Sequence, residues 1–507
     1  MTAPTFHIAK TKIWDNWHES VHQKVTRLVD IWNGEPNRAT IAGYNATTVG
    51  LQGLVRQALD EGLSLRALGG GWAFTPVAAT DGILLNTKPL NYQFRLANPN
   101  LHANYQGRGD NLVFAQGGVS IAELNTTLLA RGKSMRTTGA SNGQTIAGAI
   151  SCGTHGSAID GGAIHDSVVA LHLVTAPDRH VWLERATSPV ASDSLIAAVG
   201  AQLVRDDALF DAALVSLGSF GVIHGVVLEV DDLFYLQDYR KQYADAPATW
   251  AAIERLDFAN AGLPRGGAVR PYFFQVLFNP YDRAGGPYLT AMYRDATRPA
   301  GAPSPAAQDK WRPGDSIADL VGAATDLTSQ ITPAIAPMLL HALYPDVDGV
   351  AGTWGEMFWD TSSRGKLAST AMGIPLPRVR EAVEALYDLN EEFKIPGFFA
   401  MRYVKASRAP LAFTRHQDRT CVLEIDGVFS KKMMEFFAAA WERMDELEIP
   451  ATYHWGKMQR FDAAGPVRMY GKPAVDAWKA ARKTLLPTPK LRSVFSNQLL
   501  HGLRLDT

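Results

Sequence analysis

Cysteine is nearly absent from this chain of 507 residues: only Cys152 and Cys421 occur, far apart and without CxxC or Cys/His spacing. That disfavours both a disulfide framework and a zinc site, and it suits a reducing compartment. There is no excess of charge of either sign. The 49 basic and 50 acidic residues leave a net charge of −1, so no summed field draws the chain to nucleic acid or to an anionic membrane. Long apolar runs are missing as well: no stretch reaches the roughly 18 residues that span a bilayer. The N-terminus, MTAPTFHIAKTKIWDNWHESV, has no apolar segment of the signal-peptide kind. The expectation is a cytoplasmic protein without a membrane span. Internal repeats and low-complexity tracts are not found. The composition, 46% hydrophobic and 20% charged, is that of an ordinary globular chain long enough for two or three domains.

What is present is the punctuation of an α/β chain from about Ala42 to Val230. Thr48 to Glu61 reads as an amphipathic helix, and Leu63 to Leu68 and Gly82 to Asn86 as short strands. Glycine is concentrated at Gly69 to Gly71, Gly117 and Gly118, Gly139 to Gly162, and Gly218 to Gly225, where it lets backbone approach a ligand closely. Beyond Val230 the character shifts to aromatic-rich strands such as Tyr272 to Phe278, then to a Pro/Gly/Ala linker, Arg298 to Gln308. A second domain is expected to begin near Asp231. Within it Asp315 to Leu327, Val379 to Phe393 and Met433 to Leu447 have helical character, and Thr420 to Phe429 reads as a strand.

The segment LRALGGGWAFTP, Leu65 to Pro76, runs from a strand into three glycines whose backbone N–H groups suit an anionic pyrophosphate. Alone it is also what a tight glycine turn looks like. It gains meaning beside TTGASNGQTIAGAISCGTHGSAIDGGAIHDSV, Thr137 to Val168, and SLGSFGVIHGVVLEV, Ser216 to Val230. A dinucleotide-binding Rossmann site is the competing reading, but no GxGxxG follows a strand with an acidic residue about 20 positions on. In this order the three pieces resemble the flavin domain of the vanillyl-alcohol oxidase superfamily, the PCMH-type FAD-binding fold, which includes aldonolactone, alditol and type II cholesterol oxidases.

The resemblance covers nearly the whole chain and implies an α+β protein: a PCMH-type two-subdomain FAD-binding domain with an inserted α/β cap carrying an antiparallel sheet. It places the FAD domain at 1–231, the cap at 232–458 and a C-terminal return to the FAD domain at 459–507. By carry-over, Gly69, Gly70, Gly71 and Trp72 belong to the pyrophosphate loop. Thr138, Gly139, Ala140, Ser141, Thr145, Gly148, Cys152, Gly153, Thr154 and His155 lie along the cofactor, Gly221 and Ile223 near its adenine side, and Asn497 touches it from the tail.

Many relatives carry, after the glycines, a histidine bonded to the flavin, and here Trp72 stands in that place. An indole nitrogen only donates and its ring is not nucleophilic at neutral pH. Other members use a cysteine just ahead of the second loop, where this chain has Thr137 and Thr138. Non-covalent FAD is therefore expected, with Cys152 a small packed core residue and His155 a hydrogen-bonding structural histidine.

TYHWGKMQRF, Thr452 to Phe461, resembles the HWGK motif of aldonolactone-type oxidases and makes Lys457 the leading catalytic candidate. A cation near the flavin stabilises the hydride-accepting state. His454 is either a base or a ring packed on Trp455. FFAMRYVKASRAPLAF, Phe398 to Phe413, resembles a strand that in relatives bears a glutamate, a spacer and an arginine. The arginine is Arg402, but Ala400 replaces the glutamate, so a buried guanidinium needs another anion such as Glu424 or the substrate. Alternation gives Glu424 the same face as Val422 and Asp426, and that face fits either solvent or the interior. Asp315 to Pro345 resembles the cap helices of sterol oxidases, with Met338, Leu339, Leu340 and Trp359 either lining a substrate cavity or packed as core.

The expected activity is hydride transfer from an alcohol or hemiacetal carbon of a small molecule to FAD, followed by reoxidation by oxygen or another acceptor. Two alternatives stand beside it: an oxidative ring-closing flavoenzyme and a flavoprotein without turnover.

Overall fold

The computed structural model describes residues 3–96, 98–305, 344–358 and 367–506. The expectations for Asp315 to Leu327, Met338, Leu339, Leu340 and Trp359 fall outside these residues.

The chain up to Glu229 builds two main sheets. A four-stranded sheet orders Thr5–Ile8, Arg27–Trp32, Ile83–Asn86 and Leu65–Leu68 side by side, the last three mutually parallel. A helix, Ile41–Glu61, lays Leu51, Leu54, Val55 and Ala58 into the core. It begins earlier than the expected Thr48 because the Thr40 side chain accepts from the Gly43 N–H. It ends where Gly62 adopts a φ of 67°. A six-stranded sheet runs through Gln202–Arg205, Arg179–Glu184, Val168–Ala176, Val222–Glu229, Leu112–Gln116 and Gln93–Arg95. Its central strands are mostly apolar on both faces, interrupted by the buried His172, Thr175 and His224, because both faces are covered.

An eight-stranded sheet follows. Its order is Val347–Gly352, Tyr235–Gln242, Tyr288–Asp295, Phe273–Phe278, Gly397–Lys405, Arg419–Val428, Leu367–Pro375 and Thr452–Tyr453, every neighbouring pair antiparallel. Helices Val379–Phe393 and Lys431–Glu446 cover one face, against Phe274, Val276, Phe399, Met401, Leu423 and Ile425. The period of two then sends Gln275, Arg402, Glu424, Asp426 and Ser369 to the opposite face, where cross-strand register sets Gln275 against Arg402 and Ser369 against Asp426. This is the face turned toward the glycine loops.

The tail packs back on this N-terminal part. Trp478 in helix Lys472–Leu485 donates to the Val215 carbonyl at 2.9 Å, and the buried Arg482 donates to Ser219 O at 3.1 Å. Among the described residues no helix is long and apolar enough to cross a membrane.

Candidate active site

The cavity between the glycine loops and the polar sheet face is assembled from segments distant in sequence. Strand Leu65–Leu68 ends in the three glycines, whose N–H groups meet no acceptor among the described residues. The N–H groups of Gly139 and Ala140 are likewise unclaimed. Two loops of open amides facing one cavity form an anion cradle. A Cβ at Gly70 would sit 2.9 Å from both Gly143 O and Trp72 Cδ1, so glycine is required there by space. Gln144 lines the cavity with its Oε1 unpartnered, as does Arg66 with its Nε unpartnered. Open amides, orphaned polar atoms and a close-approach glycine fit a diphosphate-containing cofactor such as FAD.

Arg66, which the sequence reading did not single out, holds this loop from behind. Its guanidinium donates to Gly218 O at 2.9 Å, Phe495 O at 3.1 Å and Val77 O at 2.6 Å, and also to Leu217 O. Burial, followed by the neighbouring Arg482, pulls its pKa down to about 9. Asn497, expected at the cofactor, is not on the cavity wall: it donates to Pro76 O, Val77 O and Ala79 O at 2.9–3.2 Å and caps the helix Gln498–Gly502. It thereby fixes the turn that follows the glycines.

The N-terminal arm closes over the same loop. Trp17 N–H donates to Gly71 O at 2.8 Å, Asn16 Nδ2 to Ala73 O at 2.8 Å and the Ser20 hydroxyl to Phe74 O at 3.0 Å. Trp72 stacks on Trp17 with ring centres 5.4 Å apart, and His18 stacks on Phe74 at 4.0 Å. His18 lines the cavity, and burial together with the charge of Lys457 depresses its pKa to about 4. Nothing in the local sequence marked it, because its place is set by contacts more than 50 residues away.

On the sheet side, strand Thr452–Tyr453 leads into the turn His454 to Lys457, closed by the Lys457 N–H on His454 O at 3.0 Å. The turn is stitched to the glycine loop: Phe74 N–H donates to Gly456 O at 2.7 Å and Thr75 Oγ1 to Trp455 O at 2.7 Å. Lys457 Nζ then reaches Glu424 Oε1 at 2.5 Å. Arg402 Nε lies 3.3 Å from Glu424 Oε2, an ion pair without hydrogen-bond alignment, and 3.3 Å from its acceptor Gln275 Oε1. Glu424, 1% exposed, thus sits between two cations, directly across from Ala400. The neighbouring strand supplies the carboxylate that position 400 lacks. Burial opposes ionisation of Glu424, but Arg402, Lys457 and His155 outweigh it and hold its carboxyl well below the usual range.

The buried histidines are neutral. His155 donates from Nδ1 to Gly156 O at 3.0 Å, and its pKa falls to about 4, through burial and the charges of Arg402 and Lys457 against the opposing Glu424. His454 accepts the Gly456 N–H on Nδ1 at 2.9 Å and is depressed well below its ordinary value by burial, His155 and Lys457. Burial pushes the Cys152 thiol up to about 12.

Among the described residues, every expected site residue lines this cavity except Thr138, Gly153 and Asn497. Thr138 is buried behind it, and Gly153, with a φ of 81°, ends the helix Ile146–Cys152. Besides Arg66 and His18, the cavity wall adds Asp426 and Ser369, which the sequence did not point to as site residues.

Residues 45–184 match the model of an FAD-binding domain. The L-gulono-1,4-lactone dehydrogenase of Mycobacterium tuberculosis is 26% identical over 479 residues, 92% of this chain and 98% of that protein. Among solved structures, cholesterol oxidase from B. sterolicum superposes with a TM-score of 0.70 at 17% identity, covering 99% of this chain and 97% of that one. Xylooligosaccharide oxidase from Myceliophthora thermophila C1 gives 0.62 at 14% identity, covering 98% and 96%.

Proposed function

We infer that this FAD-binding oxidoreductase acts on a CH–OH group of a small molecule, and that its residues divide into an FAD domain at 1–231, a cap at 232–458 and a returning tail at 459–507. The observation that carries the reading is the cluster of buried Arg402 and Glu424 with the partly exposed Lys457, facing the glycine cradle across one cavity. Bound FAD would supply the acceptor of the hydride. The open amides of the two loops would hold its diphosphate, with Arg66 and Asn497 keeping the first loop in place. Arg402 and Lys457 would polarise the substrate oxygen and favour negative charge on the electron acceptor, and Glu424 holds both cations in position. The relatives named for lactones, together with this cluster, favour turnover over a flavoprotein without it and over ring closure.

The cofactor is held without a covalent bond: Trp72 is stacked on Trp17 and offers no nucleophile, and the Cys152 thiol stays protonated at neutral pH. Acid precipitation should leave the flavin in the supernatant, and flavin in the pellet would overturn this. Oxygen or another acceptor would reoxidise the flavin, and two buried free cysteines suit the cytoplasm.

The decisive experiment mixes the yellow holoenzyme anaerobically with a panel of alcohols and lactones that includes L-gulono-1,4-lactone. Bleaching by at least one member, with a new carbonyl in the product, is expected. A flavin that no member bleaches sinks the reading.

A further inference from the structure

Oxidising an alcohol needs a group that takes the hydroxyl proton, and most ionisable groups on the cavity wall are already committed. Glu424 is claimed by Lys457 and Arg402 and binds protons weakly. His155 and His454 each have Nδ1 engaged, and burial keeps both from accepting a proton, as it does His18. Asp426 differs. It lies two residues beyond Glu424 on strand Arg419–Val428, on the same face, and lines the cavity with its side chain 8% exposed. Its Oδ2 has no hydrogen-bond partner among the described residues. Across the strand pair, in direct register, stands Ser369, also on the cavity wall and 4% exposed, with its Oγ unpartnered. Two buried polar atoms left open side by side are costly unless a ligand completes them. A hydroxyl, which both donates and accepts, has the complementary chemistry.

We propose that Asp426, with Ser369 opposite it, binds the substrate hydroxyl and takes its proton. This rests on the alcohol-oxidising reading above. In the step, the substrate O–H proton passes to the Asp426 carboxylate while the C–H bond breaks with its electron pair going to FAD. A carbonyl forms, the substrate loses two electrons, FAD gains them, and Asp426 is left as the carboxylic acid. Ser369 donates to the substrate oxygen and keeps the O–H pointed at Asp426.

The electrostatics agree with the geometry. Burial raises the proton affinity of Asp426, as does Glu424, against Lys457 at 3.9 Å, the neighbouring Ser369 hydroxyl and Arg402. A carboxylate raised above its ordinary value is a better acceptor yet still ionises as pH rises. The charged groups that face it are Lys457 from the turn, Arg402 from the strand Gly397–Lys405 and Glu424 from its own strand, with Ser369 as the polar neighbour.

The test uses the holoenzyme with the panel member that bleaches it. Asp426→Asn should keep its flavin and lose roughly 100-fold or more in the reduction rate. It should also lose the acid limb of the wild-type pH profile, a limb lying above the ordinary aspartate range. Asp426→Glu should restore part of the rate, and Ser369→Ala should raise KM more than it lowers kcat. Independently of turnover, infrared titration of the wild-type holoenzyme should show a protonated carboxyl band that fades as pH rises and is missing in Asp426→Asn. Bleaching of Asp426→Asn at a rate close to wild type overturns the assignment alone. Absence of the band also overturns it. A wild-type flavin that no alcohol bleaches takes down the alcohol-oxidising reading and this assignment together.

Discussion

At the scale of residues, the site turns on how two cations and two carboxyls share one buried patch. Lys457 touches Glu424 at 2.5 Å and lies 3.9 Å from Asp426. Replacing it with methionine removes a preorganised charge from the cavity, a loss that typically costs about 2.7–4 kcal/mol, or roughly 100- to 1000-fold in rate. Lys457→Met is therefore expected to keep FAD, since the glycine loops are untouched, while stopped-flow reduction slows by that order. A near wild-type rate would remove the lysine from the chemistry. Glu424→Gln fails differently. It leaves Arg402 buried without its carboxylate, and breaking a buried pair costs about 3–5 kcal/mol. An unfolding free energy lowered by about that amount, seen as a lower denaturant midpoint at unchanged slope, is expected, and an unchanged midpoint would show that Gln275 and Asp426 already suffice as partners for Arg402 and Lys457.

At the scale of elements, the cradle depends on segments that never touch the ligand. Asn497 combines an N-cap with three bonds to the turn at Pro76, Val77 and Ala79. Asn497→Ala should cost about 1–2 kcal/mol and loosen the first glycine loop. Thermal melting and flavin loss on gel filtration would measure it; unaltered flavin retention would confine Asn497 to the tail. The elements themselves were largely legible in the sequence. Helix Val379–Phe393 was marked by its amphipathic period, and the strand expected over Thr420 to Phe429 spans Arg419–Val428. Alternation put Glu424 and Asp426 on one face but could not say which way that face points. Only helices Val379–Phe393 and Lys431–Glu446, packed on Leu423 and Ile425, turn it inward. His18 and Ser369 escaped notice for a related reason: pairing with distant backbone, not a local motif, brings each to the cavity.

At the scale of the whole molecule, burial of neutral histidines ties stability to pH. His224 is stacked on Tyr44 with ring centres 4.0 Å apart and is bonded to Thr48 and Gln116, and burial lowers its pKa to about 3. His172, bonded to Tyr44 and His180, is held well below its ordinary value by burial and its two histidine neighbours. His18 and His155 stand near 4. In the unfolded chain each titrates near 6.5. As pH falls through that value the unfolded state takes up protons that the folded state refuses, so folding stability drops, and it goes on dropping until each folded pKa is reached. Shifts of this size correspond to roughly 3–5 kcal/mol for each of His18, His155 and His224, and together they rival the roughly 5–15 kcal/mol of a typical fold. Glu424 adds a carboxylate contribution, present above its unfolded value and lost only at lower pH, while Asp238, raised by burial to about 7, and Asp426, also raised, offset part of the histidine effect. The denaturation midpoint of the holoenzyme should therefore be level above about pH 7 and fall steeply between roughly pH 6.5 and 4. His224→Asn should lower the midpoint at neutral pH yet flatten the fall by one proton's share. A midpoint equal at pH 7.5 and pH 5 would mean that these imidazoles accept protons inside the fold, and the buried network around Tyr44 would then have to open without unfolding the chain.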